Sequence, residues 1–152
     1  MIIKIDNKNN KIASQIREIF QCSYQVEAEL LNAVNFPPLQ RKLSDFINST
    51  SEFYAYYKSN FIAGVVEVKN QKDLTHIQSL VVHPKYFRQG IGKKLVQFIL
   101  EKYMATIFTV ETGLKNYPAI KLYRSFNFQE QGQWDTNHGV RKIRFKKIIA
   151  IE

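Results

Sequence analysis

The stretch Val81-Val82-His83-Pro84-Lys85-Tyr86-Phe87-Arg88-Gln89-Gly90-Ile91-Gly92-Lys93-Lys94 constrains this chain more than any other. A β-branched pair leads into a proline turn. Two glycines then open an amphipathic run whose apolar positions are Ile91, Leu95, Phe98 and Ile99. A strand therefore hands over to a helix whose first turn is poor in side chains. The first turn of any helix carries unpaired backbone N–H groups and the positive end of the helix dipole. Glycine lets a ligand come close to that backbone, and Arg88, Lys93 and Lys94 add positive charge. Such a turn suits a pyrophosphate. As a spacing alone, Gly-x-Gly describes a basic, solubilising turn equally well. A P-loop does not fit, because Gly92 is followed by Lys93-Lys94-Leu95 and no Ser or Thr follows the lysine. A dinucleotide fingerprint does not fit either, because Leu95 stands where a third glycine is needed.

The rest of the chain alternates between the periods of helix and strand. Met1–Asp6 reads as a short strand and Asn7–Asn10 as a turn. Ile12, Ile16, Ile19, Phe20, Val26, Leu30 and Leu31 predict a helix over about Lys11–Val34, stopped by Pro37-Pro38. Arg41–Asn48 reads as a second, short helix. Phe53–Tyr57 and Ile62–Lys69 are predicted strands joined by a hairpin at Lys58-Ser59-Asn60, and Thr75–Val82 is a third. Ile107–Glu111 is a strand, Asn116–Ser125 a helix, and Phe128–Gln133 and Val140–Ile149 are closing strands. The hairpins imply antiparallel pairing, and the strand–helix–strand passage in the second half implies some parallel pairing. The expected fold class is α/β of the mixed kind: a mostly antiparallel sheet of about six to seven strands flanked by about four helices.

Composition narrows the partners. The 152 residues carry 22 Lys and Arg against 13 Asp and Glu, a formal net charge of +9, which suggests something anionic nearby. The length suits one domain, residues 1–152. With a single cysteine, Cys22, no internal disulfide forms. His76, His83 and His138 lack ligand spacing, so no metal site is expected. No apolar run approaches the ~18–20 residues of a membrane span, and the polar run Asn7–Lys11 is unlike a signal peptide. The expectation is a cytoplasmic domain with no membrane partner.

Val-Val-His-Pro followed by Arg-Gln-Gly-Ile-Gly-Lys-Lys-Leu resembles the acetyl-CoA-binding turn of the GCN5-related N-acetyltransferases, whose pattern is Gln/Arg-x-x-Gly-x-Gly/Ala after the fourth strand. The segment Asn116–Phe128 resembles the family's Asn-x-x-Ala-x-x-Leu-Tyr-x-x-x-Gly-Phe, one helix and one strand later, as the family requires. The resemblance is sharp over about Thr75–Phe128 and topological elsewhere. Phe87 stands at the Gln/Arg position, where neighbouring Arg88 could substitute. Asn127 stands where glycine is usual, and asparagine tolerates a left-handed backbone better than most residues.

The resemblance implies acetyl transfer from acetyl-CoA to a primary amine of a small molecule or peptide, in a ternary complex and without a metal. It places the pantetheine arm along Leu80, Val81 and Val82. The pyrophosphate goes to Gln89, Gly90, Ile91, Gly92 and Lys93, with Arg88 and Lys94 nearby and Asn116 as a further cofactor contact. Asn116 also suits the N-cap of the last helix. Tyr123 matches the family's general acid, and Asn116, Ala119, Ile120 and Tyr123 share one helix face. The general base stays open: the fourth strand offers no carboxylate, leaving His76, Glu67 on the third strand, Glu111 on the fifth, or a water chain. Trp134, Asp135 and His138 fall in the expected loop between the last strands, a region that can line the family's acceptor site.

Two other readings compete. One is a protein of this fold that binds acyl-CoA without catalysis. The other is a basic nucleic-acid or ribosome-associated protein, for which Arg141-Lys142, Arg144 and Lys146-Lys147 form the one cluster. The scattered lysines and the lack of an RNP-type stacking pattern argue against it. A homodimer through the late strands is compatible with the sequence.

Overall fold

A computed structural model describes residues 1–149. Seven strands form one sheet: β1 (Ile2–Ile5), β2 (Glu52–Lys58), β3 (Phe61–Gln71), β4 (Leu74–Val82), β5 (Ile107–Gly113), β6 (Gln129–Asp135) and β7 (Arg141–Ile148). Their order across the sheet is β1-β2-β3-β4-β5-β7-β6. Every neighbouring pair is antiparallel except β4 and β5, which run parallel and are joined by a crossover helix. The helices are α1 (Asn10–Leu31), α2 (Leu43–Ile47), α3 (Ile91–Lys102) and α4 (Tyr117–Ser125), with single 3-10 turns at Pro37–Gln40 and Pro84–Tyr86. The mixed sheet and four helices are the expected architecture.

Two cores fix the layers. On one face α3 and α4 bury Leu95, Ile99 and Tyr123 against Val66, Ile77, Phe108 and Phe145. On the other, α1 and α2 bury Ile16, Phe20 and Phe46 against Phe53, Val65 and Val81. Central β3 is buried from Ala63 to Val68, and consecutive residues such as Val65 and Val66 serve opposite cores.

Several ends differ from the expected ones. α1 stops at Leu31 rather than near Val34, because Asn32 turns left-handed (φ 54°) and its N–H caps the carbonyls of Ala28 and Glu29. Its start is held by Asn9, whose Oδ1 accepts from the N–H groups of Lys11 and Ile12. β6 runs on to Asp135, so Trp134 and Asp135 lie in a strand and only His138 lies in the loop. Asn127 takes the left-handed backbone expected of it, with φ 65°.

Candidate active site

The site begins with a break in the sheet. β4 and β5 pair only from Leu74–Ile107 to Ile77–Val110. Beyond that point β4 continues on β3 alone, after a bulge that leaves Gln78 outside the register: Glu67 faces Ser79 and Val68 faces Ile77. A gap therefore opens between β4 and β5. The N–H of His83 donates to the Ala63 carbonyl of β3 at 2.8 Å. Strand alternation then turns the backbone groups of Val81 to β3 and those of Leu80 and Val82 into the gap. Of the three predicted strand residues, Leu80 and Val82 thus have backbone to offer a ligand. Val81 is committed to the sheet, with its side chain in the α1-side core.

Val82, at the outer end of the gap, adjoins the first turn of α3: a Cβ on Gly92 would stand 4.0 Å from Val82 Cγ2. Gly90 is the N-cap of α3, left-handed at φ 76°, with no atom within 4 Å of the position a Cβ would take. No side chain caps this end, so the N–H groups of Ile91, Gly92 and Lys93 point outward unpaired. Arg88 is also left-handed, at φ 63°. Lys93 and Lys94 are exposed beside it, and Lys94 Nζ lies 5.5 Å from the centre of the Tyr56 ring. Gln89 is held by a hydrogen bond from Lys58 Nζ to its Oε1. The predicted phosphate residues are therefore together, on one exposed turn.

Tyr123 reaches the inner end of the gap from α4. It is 3% exposed, packs edge-on to Phe128, and lines a cavity of about 540 Å³ between α1, the α1–α2 linker, β4 and β5. Its hydroxyl has no hydrogen-bond partner among the described residues, although it belongs to the cavity wall. Burial raises its pKa above the ordinary tyrosine value, and the neighbouring Tyr24 and Glu27 push the same way. It is a protonated donor at neutral pH.

Asn116 caps α4, as its position predicted: Oδ1 accepts from the Ala119 N–H at 3.3 Å. Its amide nitrogen is also spent, on Glu27 of α1 and on Thr112 of β5. Asn116 thus ties α1 to α4, and a cofactor would have to compete with these bonds to use it.

Neither of the candidate bases on β3 and β4, Glu67 and His76, lines the cavity. Glu67 is 1% exposed and gripped by Arg41 through two bonds of 2.7 and 2.9 Å, and the hydroxyls of Ser51 and Ser79 also donate to it. Burial acts to raise the Glu67 pKa, but Arg41 and Ser51 outweigh it and hold the carboxyl below the ordinary carboxylate range. Glu67 is a holder for Arg41, whose guanidinium lies 4.1 Å above the Phe46 ring and forms part of the cavity wall. His76 sits below the break, with Nδ1 bonded to Thr109 Oγ1 at 2.8 Å. Burial lowers its pKa, partly offset by Glu111.

Three carboxyls do line the cavity, Glu111, Glu27 and Asp45, and Asp45 is spent on the Lys42 N–H at the start of α2, at 2.8 Å. Glu111 is occupied on both oxygens, by Arg144 and by Lys142 at 3.8 Å. Glu27 was not singled out in the sequence. Its Oε1 accepts from Asn116, whereas no partner holds Oε2 among the described residues. Burial raises its pKa above the ordinary glutamate value, against the opposing pull of Asn116 and Lys142. The signal for it was present: Phe20, Tyr24, Glu27 and Leu31 follow the i, i+4, i+7, i+11 spacing of one helix face. A glutamate on that face has to be held or used. His138 also lines the cavity and packs 6.0 Å from the Phe36 ring.

A sheet split beside one parallel pair thus opens toward a bare helix N-terminus, an end that suits a phosphate group. The model of the acetyltransferase (GNAT) family matches residues 13–128, and this chain belongs to that family. UPF0157 protein YqkA of Bacillus subtilis is 34% identical over 131 residues, which cover 86% of this chain and 38% of that protein. The chain thus spans little more than a third of that curated relative. Among solved structures, the ribosomal-protein-S18-alanine N-acetyltransferase of Escherichia coli superimposes with a TM-score of 0.77 at 20% identity, covering 100% of this chain and 95% of that one. The PaiA N-acetyltransferase of Thermoplasma acidophilum, solved in complex with coenzyme A, also gives 0.77, at 14% identity and 98% coverage of both chains. These likenesses establish the fold. No helix among the described residues is long and apolar enough to cross a membrane.

Proposed function

We propose that this protein is an acetyl-CoA-dependent N-acetyltransferase that acts on a primary amine by direct transfer in a ternary complex. One observation carries the reading: the backbone of Leu80 and Val82 opens into a gap that runs from the bare first turn of α3 to the hydroxyl of Tyr123. The gap offers strand-type hydrogen bonds to an amide-rich arm at one end and a proton donor at the other. The turn Arg88, Gln89, Gly90, Ile91, Gly92, Lys93 and Lys94 supplies N–H groups and positive charge for a pyrophosphate.

Acetyl-CoA, when bound, supplies an activated acyl group as a thioester. The chain's own groups supply the proton movements. The acceptor nitrogen forms its bond to the acetyl carbon as the carbon–sulfur bond breaks. Tyr123 gives its hydroxyl proton to the departing sulfur, a transfer its raised pKa keeps available at pH 7. The free Oε2 of Glu27 takes the proton from the amine, and its raised pKa makes it a stronger base than an ordinary glutamate. Asn116 positions both, since it bonds Glu27 and caps the helix that carries Tyr123. Glu67 keeps Arg41 in the cavity wall.

The test pairs binding with turnover. Acetyl-CoA at 100 times its Kd stabilises the folded state by about 2.7 kcal/mol, read as a higher Tm. A panel of amines, amino acids, polyamines and peptides is then assayed for CoA release. A Tm shift without turnover on any amine would favour a non-catalytic acyl-CoA binder. The absence of both would remove the proposal.

A further inference from the structure

Four of the 22 basic residues share one face of the sheet that no helix covers among the described residues. α1 crosses β3 and β4 and meets β5 only at its end, where Leu31 packs on Gly113. α3 and α4 lie on the opposite face. The α1-side face of β5, β7 and β6 therefore has no helix over it among the described residues, and its side chains follow from the register. One cross-strand row reads Lys69, His76, Thr109, Lys146, Gln129. The next holds Glu111 and Arg144, opposite Gly132, and the third holds Lys142 opposite Trp134. Of the β7 cluster, Lys142, Arg144 and Lys146 point to this face. Ile143 and Phe145 point into the core, and Lys147 is bound to the Phe126 carbonyl.

Four cations thus face one carboxylate, Glu111, on a surface without an apolar cover. Lys142 and Arg144 remain about one-third exposed despite their contact with Glu111. Lys142 and Glu111 also line the acceptor cavity, so the basic face and the cavity are continuous. From Lys142 to Lys146 is four residues along a strand, about 13 Å, the span of four extended residues of a second chain.

We infer that the acceptor is an acidic polypeptide, whose amine enters the cavity while its following residues lie along Lys142, Arg144, Lys146 and Lys69. This deepens the acetyltransferase reading and rests on it. A polypeptide is favoured over a nucleic acid on two grounds. It carries the aliphatic amine that the proposed reaction requires, and among the described residues the face offers only Trp134 and the ring of His76, at opposite ends, where single-stranded nucleic acid needs a series of stacking platforms. Charge on this face raises the encounter rate with an acidic partner and selects against a basic one.

Trp134 is the only tryptophan and is 36% exposed, so it reports directly on the face. The peptides (Glu-Gly)4 and (Gln-Gly)4, each with a free N-terminal amine, are titrated into the protein while its emission is read. Both are then offered as acceptors with acetyl-CoA. The acidic peptide should change Trp134 emission at concentrations at least about tenfold lower than the neutral one, with a gap that narrows between low and high salt. It should also be acetylated with the higher kcat/KM. The double variant Lys69→Glu/Lys146→Glu should lose the preference while keeping its Tm shift with acetyl-CoA, which shows that it folds. Equal response to the two peptides overturns the inference and leaves the acetyltransferase reading standing. So does a salt-steep affinity for RNA that displaces the acidic peptide. Lack of an acetyl-CoA shift in the unmodified protein overturns the underlying reading instead.

Discussion

Glu67→Gln separates a holder from a base. In the folded protein Glu67 is 1% exposed and bonded twice to Arg41, whose side chain is 21% exposed. Breaking a buried ion pair from one side leaves the other charge without its partner and costs about 3–5 kcal/mol. Water can reach part of the Arg41 guanidinium, and Ser51 and Ser79 can still bond the new amide, so the lower end, about 3 kcal/mol, is expected here. A chain of this size loses about 2–4 °C of Tm per kcal/mol, so the fall is roughly 10 °C. Differential scanning calorimetry measures it. At a temperature where the variant is folded, kcat should stay within about threefold of the unmodified protein, and any rise in KM belongs to the loosened Arg41. The pH dependence adds a check. A carboxyl held below its unfolded value stabilises fully above ~4.3 and loses that contribution as pH falls through the lower folded value. The acid-side drop in Tm should therefore be shallower in Glu67→Gln. An unchanged Tm with a hundredfold lower kcat would refute the holder role and restore Glu67 as the base.

Other outcomes follow from the same geometry. Tyr123→Phe should keep the acetyl-CoA Tm shift and lower kcat by about 10²–10⁴-fold, in pre-steady-state and steady-state assays of CoA release; unchanged turnover removes Tyr123 as the acid. Glu27→Gln should cost a similar factor in kcat and abolish the acid limb of the kcat/KM–pH profile, whereas Glu111→Gln, which loses only an ion-paired carboxylate, should mainly alter KM. Gly64→Ala should destabilise by about 1–3 kcal/mol in urea melts, because its Cβ would stand 2.8 Å from Ile91 Cγ2 and 3.0 Å from Leu95 Cδ1, pushing α3 off the sheet.

Local chemistry was legible in the sequence. The glycine turn, the Asn116 cap, the left-handed Asn127 and the order of the elements are all written in neighbouring residues. What escaped depends on residues distant in sequence. The gap at β4 follows from a bulge at Gln78 and from where β5 stops pairing, neither of which has a composition of its own. Arg41 and Glu67 stand 26 residues apart and Glu27 and Asn116 stand 89 apart, so no local pattern links them. Trp134 and Asp135 looked like loop because β6 is polar throughout, as an exposed edge strand is, and carries no alternation to mark its end. Alternation alone puts Lys142, Arg144 and Lys146 on one face of β7, and only the register shows that this is the face no helix covers among the described residues.

Acetyl-CoA is proposed to lie in the gap between β4 and β5. Amide hydrogen exchange followed by NMR, with and without acetyl-CoA, tests it most directly. The N–H groups of Leu80 and Val82 and those of Ile91, Gly92 and Lys93 have no acceptor among the described residues and should exchange fast alone and slowly with acetyl-CoA. The amide of His83, already bonded to Ala63, should change little. Protection of these five amides is the predicted result. Unaltered exchange at saturating acetyl-CoA, or protection confined to another part of the sheet, would contradict it.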